Sequence, residues 1–374
     1  MAPPRTVLVL YTGGTIGMVD GPRGYRPESG YLHSRLLAMP QFHDSRHRTL
    51  TLPPLQDGRA VTYDVLEYEH LVDSACMRRT DWVRLARDIE RYFDQYDAFV
   101  VLHGTDTMAY SASALSFMLV NLSKTVILTG SQIPLSHHRN DGVDNLLGAL
   151  TLAGHYDLPE VGLYFRNTLL RGNRASKVDA ASFAAFTSGN LRPLARVGIG
   201  IDIDWSLIRK PGNGEFKVKP ITCDDIAAVR LFPGMTSSTL DRLLQPPLKG
   251  VVLETYGSGN APASDPAFLS VLDRASKRGL VVANVTQCLR GRVNDAYEMG
   301  RALSDVGVVG GGDMTAEAAL TKLGYLLSQD LPTDEVRRFF QVDLRGEITP
   351  RSQETRFSFR ERDFGESPLI GPEL

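Results

Sequence analysis

Residues 99–129 read FVVLHGTDTMAYSASALSFMLVNLSKTVILT. Phe99–His103 and Thr125–Thr129 are short, continuous apolar runs of strand length. Asp106–Leu122 between them is too long for a strand and reads as a helix. Strand, helix and strand in about thirty residues predict a βαβ unit, whose two strands must lie parallel. Working outward, Thr6–Tyr11 (TVLVLY) and Val161–Phe165 (VGLYF) are further buried strands. Thr80–Tyr96 sets Trp82, Leu85, Ala86, Ile89, Tyr92, Phe93 and Tyr96 on one helical face, and Asp141–His155 is a further helix.

The rhythm breaks near Arg192. Pro211, Gly212, Gly214 and Pro220 punctuate a stretch whose only periodic segment is Gly198–Ile203. Strands then return at Ala228–Phe232, Gly250–Glu254, Leu280–Thr286 and Val306–Val309, separated by helices at Ser237–Leu244, Pro266–Arg278 and Thr315–Ser328. The expected fold is therefore α/β. It has a larger N-terminal domain with a parallel sheet in three layers (1–192), a linker (193–225), a smaller C-terminal α/β domain (226–350) and a polar, charged tail (351–374) expected to be flexible.

Composition narrows the function classes. Across 374 residues, 41 Lys and Arg face 43 Asp and Glu, a net charge of −2 that offers no excess of cations to neutralise phosphates. No apolar run reaches about 18 residues, so no membrane span is expected. The N-terminus runs directly into the first strand, without an apolar leader. Cys76, Cys223 and Cys288 are odd in number and far apart, which fits reduced thiols in a cytoplasmic protein and not a disulfide scaffold. His43 and His47 lack the glutamate of a zinc-protease motif, and the adjacent His137 and His138 cannot both face one site on a helix, so no metal site is expected. The dinucleotide, phosphate-loop and nucleophile-elbow signatures are absent.

A parallel sheet binds its ligands beyond the carboxyl ends of its strands. Three of these ends are polar. Thr12-Gly13-Gly14-Thr15-Ile16-Gly17 follows the first strand; its paired glycines permit a tight turn, and the bare main chain beside Thr15 could stabilise an oxyanion. Gly104-Thr105-Asp106-Thr107-Met108 opens the Asp106–Leu122 helix, where Thr105 or Asp106 is either an N-cap or a hydroxyl and carboxylate offered to a ligand. Gly130-Ser131-Gln132-Ile133-Pro134 is the third. Together they suit a small polar substrate.

The segments Tyr11–Gly17 and His103–Met108 together resemble the paired signatures of the bacterial-type L-asparaginases, closest to the cytoplasmic type I branch. The resemblance continues through Gly130–Pro134, Arg171–Lys177, Thr255–Asn260 and Asn284–Cys288, covering roughly Arg5–Pro350. It implies hydrolysis of L-asparagine to L-aspartate and ammonia through a threonine acyl-enzyme, with no cofactor. It implies Thr15 as nucleophile, Tyr25 as the loop tyrosine near it, and Thr105, Asp106 and Lys177 as the second catalytic set. Substrate contacts would come from Asp73, Ser74, Ala75, Thr105, Asp106 and Ser131, and from Asn260 of a neighbouring subunit in a homotetramer built as a dimer of dimers. No nucleic acid or membrane partner is implied.

Two segments depart from the family pattern. Ala75 and Cys76 follow Asp73-Ser74 where a polar side chain and an acid are usual; the loss of that acid is expected to remove a helix cap. Thr286 and Cys288 match an asparagine-binding allosteric site of some type I enzymes, but Glu254 stands where those enzymes carry an arginine. A carboxylate there would repel an effector's carboxylate, so allostery of that kind is not expected. Glu254 is similar instead to the animal branch, some members of which have been assigned lysophospholipase activity. Glutaminase, a related amidotransferase subunit, and a non-catalytic asparagine-binding protein are the other readings.

Overall fold

The computed structural model describes residues 4–54, 59–294 and 298–350. The stretch 351–374, expected as a flexible tail, lies outside them. Two compact units divide between Pro220 and Ile221.

The first unit is built on an eight-stranded sheet. Five strands run parallel: β1 (Arg5–Gly13), β2 (Val61–Val72), β3 (Ala98–Leu102), β4 (Thr125–Thr129) and β5 (Val161–Phe165), in the spatial order β2-β1-β3-β4-β5. Beyond β5, three antiparallel strands complete it: β6 (Thr168–Arg171), β7 (Ala195–Val197) and β8 (Ile201–Ile203). Every residue of β3, β4 and β5 is buried, as parallel strands covered on both faces require. Helix α1 (Arg79–Tyr92) buries Leu85, Ala86 and Ile89, and α3 (Gly142–His155) sets Leu146, Ala149, Leu150 and Ala153 into the core with Val9, Val100 and Ile127. Helix α2 (Met108–Met118) is buried on all sides except at Tyr110.

Several elements differ from the sequence reading. The helix expected to run to Leu122 stops at Met118; Leu119–Val120 extend and pair with Lys217–Val218, and Asn121 then takes a left-handed φ of 55°. Much of the stretch read as linker belongs to the first unit. Leu194 and Ala195 are buried in its core, and β7 and β8 form an antiparallel pair at the sheet edge; β8 lies within the periodic segment Gly198–Ile203, whereas β7, three residues long, shows no period. Strand β2 passed unread because Asp64, Glu67, Glu69 and His70 interrupt its apolar residues. It is an edge strand, where such charges are tolerated.

The second unit holds four parallel strands in sequential order: β9 (Ile226–Arg230), β10 (Gly250–Thr255), β11 (Val281–Thr286) and β12 (Val309–Gly310). Its core joins Val251, Leu253 and Val282 to Phe268 and Leu272 of helix α4 (Pro266–Lys277). That helix begins with Asp265 accepting from the Ala267 N–H and Pro266 in the first turn. Helix α5 (Ala316–Leu327) carries Lys322, whose ammonium meets Glu347 at 2.5 Å with both side chains fully buried. Glu347 also accepts from the Leu344 and Arg345 N–H groups. Two residues on, Thr349 bonds both oxygens of Asp313. Among the described residues no helix is long and apolar enough to cross a membrane.

Candidate active site

Strands β3 and β4 end level, Leu102 pairing with Thr129, and Tyr11 of β1 lies opposite Leu102, two residues before β1 ends at Gly13. The loops that follow therefore leave the sheet at one edge. Their backbones then interlock. Gly13 and Gly14 have φ of 129° and 85°, and a Cβ on Gly14 would lie 2.4 Å from the Gly104 nitrogen. A Cβ on Gly13 would lie 2.3 Å from the Val72 carbonyl, and one on Gly104 2.5 Å from the Ser74 Oγ. Only hydrogen fits at these contacts, so glycine is what brings the turns carrying Thr15, Ser74 and Thr105 together. Thr12 fastens the same edge by donating to the Leu102 carbonyl at 2.9 Å.

Thr105 and Asp106 are not spent on capping α2. Thr107 holds the N-cap position and makes no side-chain cap; its hydroxyl donates instead to the Ser74 carbonyl at 2.7 Å. Lys177 ends the short strand Ala175–Lys177, which pairs antiparallel with Phe186–Ser188. Its Nζ donates to the Thr105 Oγ1 at 2.8 Å and to an Asp106 oxygen at 2.7 Å. The ammonium is largely sheltered, whereas the Asp106 side chain is 63% exposed. A buried hydroxyl thus touches a cation, and the cation's counter-ion faces solvent.

Behind this contact, His103 is fully buried. Burial pushes its imidazole down to about 4, so the ring is neutral at pH 7. One ring nitrogen contacts the Gly104 carbonyl at 2.6 Å and the other the Ser111 hydroxyl at 2.8 Å, which also accepts from the Trp82 indole. The histidine fixes the loop that leads to Thr105.

The sequence reading did not single out Gln132 or Asp141. The Gln132 Oε1 accepts from Thr105 at 3.0 Å. The buried Asp141 carboxylate accepts from the Gln132 and Ile133 N–H groups and from the Asn145 amide; burial raises this carboxyl above its usual range. Ser131, expected among the substrate contacts, is fully buried, and its hydroxyl meets no hydrogen-bond partner among the described residues.

The remaining expected residues fall as follows. Thr15 opens a short 3-10 turn, Thr15–Gly17, half-buried. Tyr25 lies on the hairpin of Met18–Gly21 with Gly24–Pro27, which packs against that turn. Its ring is 45% exposed and meets His137 edge to face at 5.2 Å. Ser74 is buried, while Asp73 and Ala75 are exposed; Asp73 accepts from the Ala75 N–H. The cap thought lost at Cys76 is supplied from within α1, where the Asp81 carboxylate accepts from the Arg78 N–H at 2.8 Å.

In the second unit, Asn260 closes a tight turn through reciprocal main-chain bonds with Tyr256. Thr286 donates to the Gly257 carbonyl and accepts from the Cys288 N–H, and Cys288 is exposed. Glu254 pairs with Arg230 of the adjacent strand at 3.2 Å, so a guanidinium neutralises it from within the sheet. Among the described residues, no group of three or more His, Cys, Asp or Glu could hold a metal ion.

Residues 6–209 match the family model of the asparaginase N-terminal domain, and residues 225–340 that of the glutaminase/asparaginase C-terminal domain. The chain belongs to the asparaginase family. L-asparaginase 1 of Escherichia coli (strain K12) is 49% identical over 347 residues, 92% of this chain and 98% of that protein. The 60 kDa lysophospholipase of Homo sapiens is 49% identical over 366 residues, 95% of this chain and 64% of that protein; this chain thus spans just under two thirds of that relative. The crystal structure of L-asparaginase I from Vibrio cholerae superposes with a TM-score of 0.83 at 45% identity, covering 93% of this chain and all of that one. Family membership accounts for both α/β units.

Proposed function

We propose that this chain hydrolyses the side-chain amide of L-asparagine to L-aspartate and ammonia. The observation that carries the reading is the contact of Lys177 with Thr105 and Asp106, next to the Gly14-Thr15 turn. A threonine hydroxyl is a weak nucleophile and needs a base. Thr15 attacks the amide carbon, and its proton passes through the Thr105 hydroxyl to an unprotonated Lys177. Main-chain N–H groups of the turn steady the oxyanion. Collapse of the adduct returns the proton to the leaving nitrogen, releasing ammonia and leaving an ester on Thr15. Water, deprotonated by the same route, then releases aspartate and restores the hydroxyl. Tyr25 closes over Thr15 from its hairpin. Asp106 holds the α-ammonium, and the Asp73-Ser74-Ala75 turn holds the α-carboxylate. These two grips reject amides that lack an amino-acid head.

The reading extends to the assembly. Asn260 completes the site of a neighbouring copy, and the working form is a dimer of dimers in the cytoplasm, consistent with three unpaired cysteines. The Glu254–Arg230 pair and the committed Thr286 hydroxyl support a rate curve without asparagine activation.

Ammonia release against concentration tests this, with L-asparagine and L-glutamine in parallel. Saturable, hyperbolic release from asparagine is expected. Thr15→Ala and Lys177→Met each lower kcat by about 10³-fold or more; full activity in either variant overturns the assignment. The name of the human relative makes ester hydrolysis the second reading, so a lysophospholipid belongs in the same assay. Release of fatty acid without ammonia would favour it.

A further inference from the structure

The Gln132 side chain is held at three points. Its Nε2 donates to the carbonyls of Asp179 and Ser182, at 3.3 and 3.2 Å. Carbonyls only accept, so both amide hydrogens are spent there and the orientation of the amide is fixed. Its Oε1 is then an acceptor, and the Thr105 hydroxyl at 3.0 Å must donate to it. Below, the Asp141 carboxylate grips the Gln132 main-chain N–H. The 179–182 turn that Gln132 holds belongs to the same hairpin as Lys177; Asp179 braces this turn by accepting from the Ala181 and Ser182 N–H groups.

A hydroxyl has one proton to give. With Lys177 as an ammonium, Thr105 accepts from Nζ and donates to Gln132. In that state its lone pairs are turned to Lys177 and its proton to Gln132, and no relay from Thr15 runs. Once Lys177 loses its proton, the amine competes with Gln132 for the Thr105 hydrogen. We propose that Gln132 is the positioning residue that sets the direction of the hydrogen bond at Thr105, and with it the pH at which the relay engages. This rests on the relay described under the proposed function. The charged groups that bear on it are Asp106, which stays paired with Lys177, and Asp141, which bonds the Gln132 main chain.

Two substitutions separate direction from support. Gln132→Met keeps length and removes the acceptor and both donors. The unprotonated amine then receives the Thr105 hydrogen without competition, and the acid limb of kcat/KM moves to lower pH by about half a unit to one unit, the bias of one hydrogen bond. Gln132→Glu keeps an acceptor for Thr105 but loses the donors to the 179 and 182 carbonyls, so its limb does not move down. Both variants lower kcat several-fold through the loosened turn and change KM little. A residue that merely supported the loop would lower kcat in both and leave the limb in place, or shift it the same way in each; either result overturns the proposal.

The pH midpoint of Lys177 reductive methylation, followed by mass spectrometry, gives the same comparison without substrate. A downward shift in Gln132→Met alone supports the role of Gln132 even where wild-type protein releases no ammonia, a result that would sink the asparaginase reading instead. Ammonia release by the wild type with no shift in either measurement sinks the role of Gln132.

Discussion

His103 sits one residue before the glycine that lets Thr105 into the site, and its neutrality links the site to pH. Its ordinary value is 6.5 and burial holds it near 4 in the folded chain. A base whose folded value is depressed gives its full stability above the unfolded value. That stability is lost as pH falls from 6.5 through about 4, amounting to about 3 kcal/mol at most. Denaturant unfolding at pH 7 and pH 4.5 is expected to show this loss in the wild type. It should shrink clearly in His103→Asn, and an equal loss in both would show that another group carries it. At this scale the sequence was partly legible. Thr15, Thr105 and Asp106 stood out because each directly follows a strand, where a parallel sheet puts its ligands. Gln132 lay in a quoted motif but gave no signal, because two of its three side-chain partners are main-chain carbonyls about fifty residues away, and main chain leaves no mark on sequence.

Among the elements, a buried ion pair lies shortly before the strand that carries Lys177. Arg171, at the end of β6, meets Glu160 at 2.5 Å with side chains 8% and 6% exposed, and also donates to the Leu207 carbonyl. Glu160 accepts from the Arg209 N–H as well. Removing one partner of a buried ion pair breaks its charge-assisted bonds and is strongly destabilising, so Glu160→Ala is expected to cost about 3–5 kcal/mol in chemical denaturation. A cost under about 1 kcal/mol would mean that water reaches Arg171 once Glu160 is gone. The fully apolar strands β3, β4 and β5 were readable, as were α3 and α4, whose ends fall within a residue of those expected. Strand β2 was not, since its charges mask its alternation, nor was β7, which is three residues long and owes its form to the sheet it joins; β8 falls inside the periodic segment Gly198–Ile203. The fold was legible where burial alone dictates an element, and illegible where pairing partners do.

For the whole molecule, the antiparallel side of the first sheet ends in an open edge, β8, with Ile199 fully exposed before it and Trp205 59% exposed after it. Exposed apolar residues beside unpaired strand hydrogen-bonding groups invite a partner. Size-exclusion chromatography with light scattering is expected to give a mass well above the 41.1 kDa of one chain. Ile199→Glu with Trp205→Glu should lower it if this edge takes part. A 41 kDa species in the unaltered protein would remove the dimer of dimers from the proposed function. The second unit carries a constraint of another sort. Lys322 lies inside it against Glu347, and that counter-ion is supplied by a segment that follows helix Thr333–Phe340. Any shortened version of this chain made for crystallisation, fusion or display must therefore keep residues through Thr349. A cut placed at the tidy end of helix Thr333–Phe340 would look harmless on a domain map, yet would strand a positive charge in the interior.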